Sequence, residues 1–129
     1  MRKMLLCSLF SFLFLSACDF LPSTSEAGAT SNYFLAHLIV DVEKSLKVVK
    51  KNPETIQATR NLSEVFAIKK QTLGVQNVRF NHLRTTIKDG KAVSVFTQVY
   101  DGNVASDNLI VTMEAEEGDY WVVVSMHAN

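Results

Sequence analysis

Six apolar side chains, Leu35, Leu38, Ile39, Val42, Leu46 and Val49, recur at intervals of mostly three and four residues. That spacing lays them along one face of an α-helix, with Asp41, Glu43, Lys44, Lys47 and Lys50 mostly on the other side. Ser31 or Asn32 can cap its start, and Lys47, Lys50 and Lys51 oppose the negative end of the helix dipole. Asn52-Pro53 ends it and opens a second helix: Asn52 is a good N-cap, Pro53 suits the first helical position and Glu54 falls in the first turn. Ala58, Leu62, Val65, Phe66 and Leu73 form its apolar stripe, and Gly74 is placed to stop it. Thr55, Thr59, Asn61 and Thr72 are mediocre helix formers, which marks Asn61 as a point where this helix could break.

After Gly74 the period switches to two. The pattern predicts strands over residues 75–87, 92–100, 108–115 and 120–127, joined by Asp89-Gly90, by Asp101-Gly102-Asn103 and by Glu117-Gly118-Asp119. Asp-Gly is a tight-hairpin signal because both residues tolerate positive φ, so the sheet should be an antiparallel meander. Val78 and Phe80 share one parity, whereas Leu83, Thr85 and Ile87 share the other. A bulge near His82 would bring both sets to the core and bend the sheet. The expected fold class is α+β: two N-terminal helices packed on a bent four-stranded meander.

The first eighteen residues do not belong to that fold. Arg2 and Lys3 precede an apolar run from Met4, MLLCSLFSFLF, which even through Ala17 is shorter than the roughly 20 residues of a membrane span. It reads as the h-region of a signal peptide. Leu15-Ser16-Ala17-Cys18 resembles the lipobox of bacterial lipoproteins at all four positions. That resemblance implies cleavage before Cys18, thioether diacylation of its sulfur and acylation of the new N-terminus. Two or three acyl chains anchor a protein stably where one holds only marginally. In enterobacterial lipoproteins an Asp after the lipidated Cys resembles an inner-membrane retention signal, and Asp19 stands there. The expected organisation is therefore signal peptide 1–17, lipidated Cys18 and a Ser/Thr/Ala/Gly-rich tether through residue 31, and one domain over 32–129. The expected location is the periplasmic side of a bacterial membrane, the inner one favoured over the outer.

Composition narrows the function. The 129 residues are 47% hydrophobic and 20% charged, as in a globular chain, with no net charge to attract nucleic acid. Cys7 falls in the signal peptide and Cys18 would carry lipid, so no cysteine remains for a disulfide, redox or metal site in the domain. His37, His82 and His127 stand far apart in sequence, without the close ligand spacing zinc requires, so no metal or other cofactor is expected. Residues 44–91 hold eleven basic and three acidic side chains, and residues 92–129 hold six acidic and no basic ones. A sheet can fold these blocks together, with Arg79 and Arg84 facing acids on neighbouring strands. Alternatively, Lys44, Lys47, Lys50 and Lys51 would form a surface for anionic lipid or an acidic partner.

The closing stretch Glu117-Gly118-Asp119-Tyr120-Trp121-Val122-Val123-Val124 resembles the final hairpin of NTF2-like and cystatin-like domains, and the leading helix and the Asp101-Gly102 turn agree. The resemblance implies a cone-shaped domain that can hold a small apolar molecule, here among Phe66, Phe80, Phe96 and Trp121, unless these four simply fill the core. It also implies an acid/base set inside the cone. Asp41 with His37, at i and i+4, or His82 with Tyr33 and Tyr100, are the residues available. No GxSxG, Walker or phosphate-loop motif occurs. The expectation is a membrane-anchored, non-catalytic module that binds an envelope protein, with apolar ligand binding and then small-enzyme activity as alternatives. Replacing Cys18 with Ala should leave an unprocessed precursor and shift the full chain out of the detergent phase in a cloud-point partition. Unchanged partitioning would contradict the anchor.

Overall fold

The computed structural model describes residues 26–116 and 120–129; Cys18, Asp19 and the hairpin residues Glu117-Gly118-Asp119 lie outside them. Within those limits three helices, α1 (Glu26–Leu38), α2 (Val42–Ser45) and α3 (Pro53–Leu73), precede four strands, β1 (Val78–Lys88), β2 (Lys91–Tyr100), β3 (Asn103–Glu116) and β4 (Tyr120–Ala128). The fold class is α+β as expected, and the sheet is an antiparallel meander of order β1-β2-β3-β4.

The first helix differs from the expectation in both bounds. Residues 26–31, placed in the tether by composition, are helical, and Ser31 is fully buried. The continuous helix expected as far as Lys51 stops at Leu38. The Asp41 N–H still donates to the His37 carbonyl, at 2.8 Å, and Asp41 then leaves helical geometry at φ −152°. Val40 is 85% exposed at the corner. The chain resumes as α2 and a short 3-10 turn over Leu46–Val48. Two contacts favour the break. The Ser45 hydroxyl donates to the Phe34 carbonyl at 2.7 Å inside the protein, folding α2 back on α1. Val49 bridges Val123 in parallel while the Lys50 N–H donates to the Val123 carbonyl at 2.9 Å, so part of the outer edge of β4 is paired. A straight helix would carry Val49 about 1.5 Å further along the axis per residue, away from that edge.

Helix α3 follows its sequence signals. The Asn52 side chain accepts from the Thr55 N–H at 2.7 Å, Pro53 occupies the first turn, and Gly74 closes the helix at φ +68°. It does not break at Asn61, whose side chain accepts from Gln57 at 2.9 Å one turn back. The Thr59 hydroxyl is absorbed by the Thr55 carbonyl at 2.8 Å. The stripe is only partly used: Phe66 is buried, but Val65 and Leu73 are exposed, as is Ile68 beside them.

Both visible hairpins turn on Asp-Gly pairs with positive φ at each residue: 53° and 75° at Asp89-Gly90, 49° and 84° at Asp101-Gly102. These mirror-image turns match the strand twist. The second is so tight that β3 begins at Asn103, five residues before the expected start, and the register with β2 slips once, between Thr97 and Val99. The bulge expected near His82 falls between His82 and Arg84. It brings Thr85 to the same face as His82, yet Leu83 and Ile87 remain exposed: Leu83 is the extra residue, and Ile87 stands at the strand end. Arg79 and Arg84 face Val99 and Val95 across the sheet, not acids. Arginine stems shield apolar neighbours in this way, and both valines are buried.

The core joins Phe34, Leu35 and Leu38 of α1 with Val49, Phe66 and the inner sheet residues Phe96, Leu109, Val111, Met113 and Val123. Replacing Asn52 with Ala should lower stability by about 1 kcal/mol, and replacing it with Gly by a few tenths. Urea midpoints of the two variants test this order.

Candidate functional site

Between α3 and β4 lies an apolar groove of about 290 Å³. Ala58, Leu62 and Val65 form one wall, Val123, Val124 and Met126 the other, with Phe34 of α1 also contributing. The β4 wall owes its shape to a third irregularity: the register with β3 shifts between Thr112 and Met113, and Val124 is the unmatched residue. The groove's polar side chains are Thr55, Thr59, Asn61 and Ser125. Two of these are already engaged within α3, Thr59 with the Thr55 carbonyl and Asn61 with Gln57. What remains toward the groove is mainly apolar surface. Beyond its rim α3 continues with Ile68, 58% exposed, three residues after Val65, 54% exposed. Large side chains at that spacing form one stripe on a helix.

Two other depressions are more polar. One, of about 250 Å³, lies between α1 and β1 at Leu35, Ile39 and Phe80 with Arg79 at its rim. The other adjoins the Asp101-Gly102 turn. There the Asp101 carboxylate accepts the Gln76 and Asn77 N–H groups at 3.0 and 2.8 Å, which fixes the approach to β1.

The residues singled out from sequence are dispersed. Phe66 and Phe96 belong to the core, with Phe80 and Trp121 packed against it. Phe66 meets Phe80 edge-on at 5.4 Å. Of the four, only Phe80 borders any of the three depressions. Lys44 and Lys47 are exposed. Lys50 is 3.4 Å from Glu114, and the Lys51 ammonium donates to the Leu46 carbonyl. The four lysines therefore do not act as one free cationic row. Arg60 pairs with Glu43 at 2.7 Å, outside the acidic block, so among the described residues the basic and acidic blocks of the sequence meet in one ion pair, Lys50–Glu114.

The acid/base sets are not assembled either. His37 is engaged by Nδ1 with the Tyr33 carbonyl at 3.0 Å and its ring lies 4.4 Å from that of Tyr33; Asp41 meets His37 through its backbone N–H. The Tyr100 hydroxyl donates to Gln98 at 2.7 Å, and Lys69 lies over its ring at 5.0 Å. His82 stacks on Phe96 at 4.9 Å and bonds Thr85. Among the described residues no group of three His, Cys, Asp or Glu could hold a metal ion. No described helix is long and apolar enough to cross a membrane. The groove went unrecognised in the sequence, although Val122-Val123-Val124 carried a signal for it, since three consecutive valines break the period of two.

No family model and no curated protein matches this chain. Among solved structures it resembles a Shewanella frigidimarina protein described as a "putative ketosteroid isomerase", with a TM-score of 0.56 over 82% of this chain and 96% of that one, at 12% identity. At that identity the likeness concerns the fold, which is NTF2-like. The Lys50–Glu114 pair is a surface contact with both side chains more than a third exposed. Replacing Lys50 with Met should shift stability by less than about 1 kcal/mol, measured as a denaturant midpoint.

Proposed function

We propose that the chain is a membrane-anchored, non-catalytic interaction module of a bacterial envelope. In this reading Cys18 carries the lipid and the α3–β4 groove receives an apolar segment of a protein partner. The observation that carries it is the continuity of the groove with the exposed stripe of α3 through Val65 and Ile68. Contiguous exposed apolar surface with a polar rim is the usual mark of an interaction site. The lipobox-like Leu15-Ser16-Ala17-Cys18 supports the anchor. Asp19 favours the inner membrane, with the domain on the periplasmic side.

The groove's chemistry favours binding over turnover. The isomerisation named for the Shewanella protein moves a proton between carbons, which requires a general base at the ligand. The groove's polar groups are hydroxyls and an amide. A small apolar molecule is the second reading, favoured by a volume close to the lower range of ligand pockets.

The two readings separate in one experiment. A photo-cross-linking residue is placed in the full chain at position 65 or 68, and at Thr86 on the exposed part of β1 as a control. The expected result is one envelope protein cross-linked at 65 and 68 and absent at 86. Val65→Glu with Ile68→Glu should reduce that product at least about tenfold with little change in thermal midpoint, as surface substitutions allow. Equal cross-linking at all three positions would refute the interaction reading. Saturable binding of anilinonaphthalene sulfonate, lost on Ala58→Trp, with no cross-linked protein would favour the small ligand.

A further inference from the structure

Between α1 and the sheet runs a chain of four polar side chains. His82 Nε2 lies 2.7 Å from Thr85 Oγ1, Thr85 Oγ1 lies 2.6 Å from Ser94 Oγ, and Ser94 Oγ lies 3.0 Å from Ser31 Oγ. The far end is anchored on the Gly28 carbonyl, 2.9 Å from Ser31 Oγ. Ser31 and Ser94 are wholly buried.

The neutral chain can share its protons in more than one way. Ser31 has one hydroxyl proton and the Gly28 carbonyl can only accept, so Ser31 donates there. Ser31 also lies within donating reach of Ser94 Oγ, the Thr85–Ser94 link can run either way, and His82 Nε2 donates to or accepts from Thr85 according to the ring's tautomer. The one atom left over is His82 Nδ1, which is buried without a hydrogen-bond partner. As a bare lone pair it is tolerable; as an N–H it would be an unsatisfied buried donor, and a charged one.

We propose that His82 and the hydroxyl chain it heads form an acid-sensitive latch between α1 and the sheet. Protonation at Nδ1 is relieved if the ring turns out to water. That movement withdraws Nε2–H from Thr85, gives up the stack on Phe96 and opens the seam in which Ser31 holds α1. The charged side chains on the surrounding elements are Glu26 and His37 of α1, Arg79, Arg84 and Lys88 of β1, Lys91 of β2, and Glu54, Arg60, Glu64, Lys69 and Lys70 of α3. None of them gives Nδ1 a partner. Burial lowers the ring's pKa below its ordinary 6.5, and the Arg84 backbone opposes this in part. A histidine lowered in the folded state stabilises the fold above about pH 6.5, and that contribution is lost as pH falls from there toward the folded value.

The test uses the full chain in detergent. Ring nitrogen NMR of the wild type should show the Nε2–H tautomer of His82 and a titration midpoint below 6.5. A proton on Nδ1 in the neutral ring, or a midpoint at or above 6.5, overturns the latch. Hydrogen-exchange protection of the Ser31–Leu35 amides should fall on acidification from pH 7.5 to 5, by no more than about tenfold per pH unit for one coupled proton. His82→Gln should flatten that dependence, and Thr85→Val should weaken protection at both pH values. The same acid dependence in wild type and His82→Gln would also overturn it. If His82→Gln fails to fold, the wild-type ring titration decides.

Discussion

Phe34, Leu35 and Leu38 of α1 share one cluster with Phe96, Val111, Met113 and Val123 of the sheet, and each of these side chains is at most 3% exposed. Burying such a side chain fully contributes about 1.5–3 kcal/mol, an upper bound because the unfolded chain already hides some surface. The rest of the architecture is arranged around this contact. All helices precede the sheet, and the two described strand connections are two-residue hairpins. Among the described residues the helical layer comes from residues 26–73. A single short helix covers the centre of the inner face. The corner at Ile39-Val40-Asp41 lets the following segment return to β4 at Val49.

That economy leaves α3 only partly docked. Phe66 reaches the core and meets Phe80, while Val65, Ile68 and Leu73 stay in solvent. The space between α3 and β4 is what a fuller helical layer would have filled. The bulge at Val124 widens it from the other side. An apolar groove beside an exposed apolar stripe is thus what the described helices leave uncovered. It is also the feature on which the proposed interaction rests.

The seam under α1 follows the opposite rule. Ser31 and Ser94 are wholly buried polar residues: Ser31 bonds the Gly28 carbonyl and Ser94, and the bulge after His82 turns Thr85 inward to meet Ser94. A hydrogen-bonded seam of this kind fixes one register between helix and sheet, because any slip strands several buried hydroxyls at once. The irregularities at Leu83 and Val124 thus have opposite effects: the second borders an apolar groove, and the first completes a polar chain.

Local signals were legible in the sequence. Asn52-Pro53 and Gly74 marked the ends of α3, and Asp89-Gly90 and Asp101-Gly102 marked the hairpins, because each depends on the φ preference or hydrogen-bonding reach of one or two residues. The period change after Gly74 marked the class α+β and the meander order. Tertiary structure alone decided where the first helix ends. The stripe from Leu35 to Val49 fits one helix as well as two, and only the return of Val49 to β4 and of Ser45 to Phe34 selects the break. Structure alone also placed Phe66, Phe80, Phe96 and Trp121 in or against the core, paired Arg79 and Arg84 with valines, and opened the groove elsewhere. Periodicity specifies which face of an element is apolar. How completely another element covers that face depends on angles and distances between segments far apart in sequence, which no local pattern encodes.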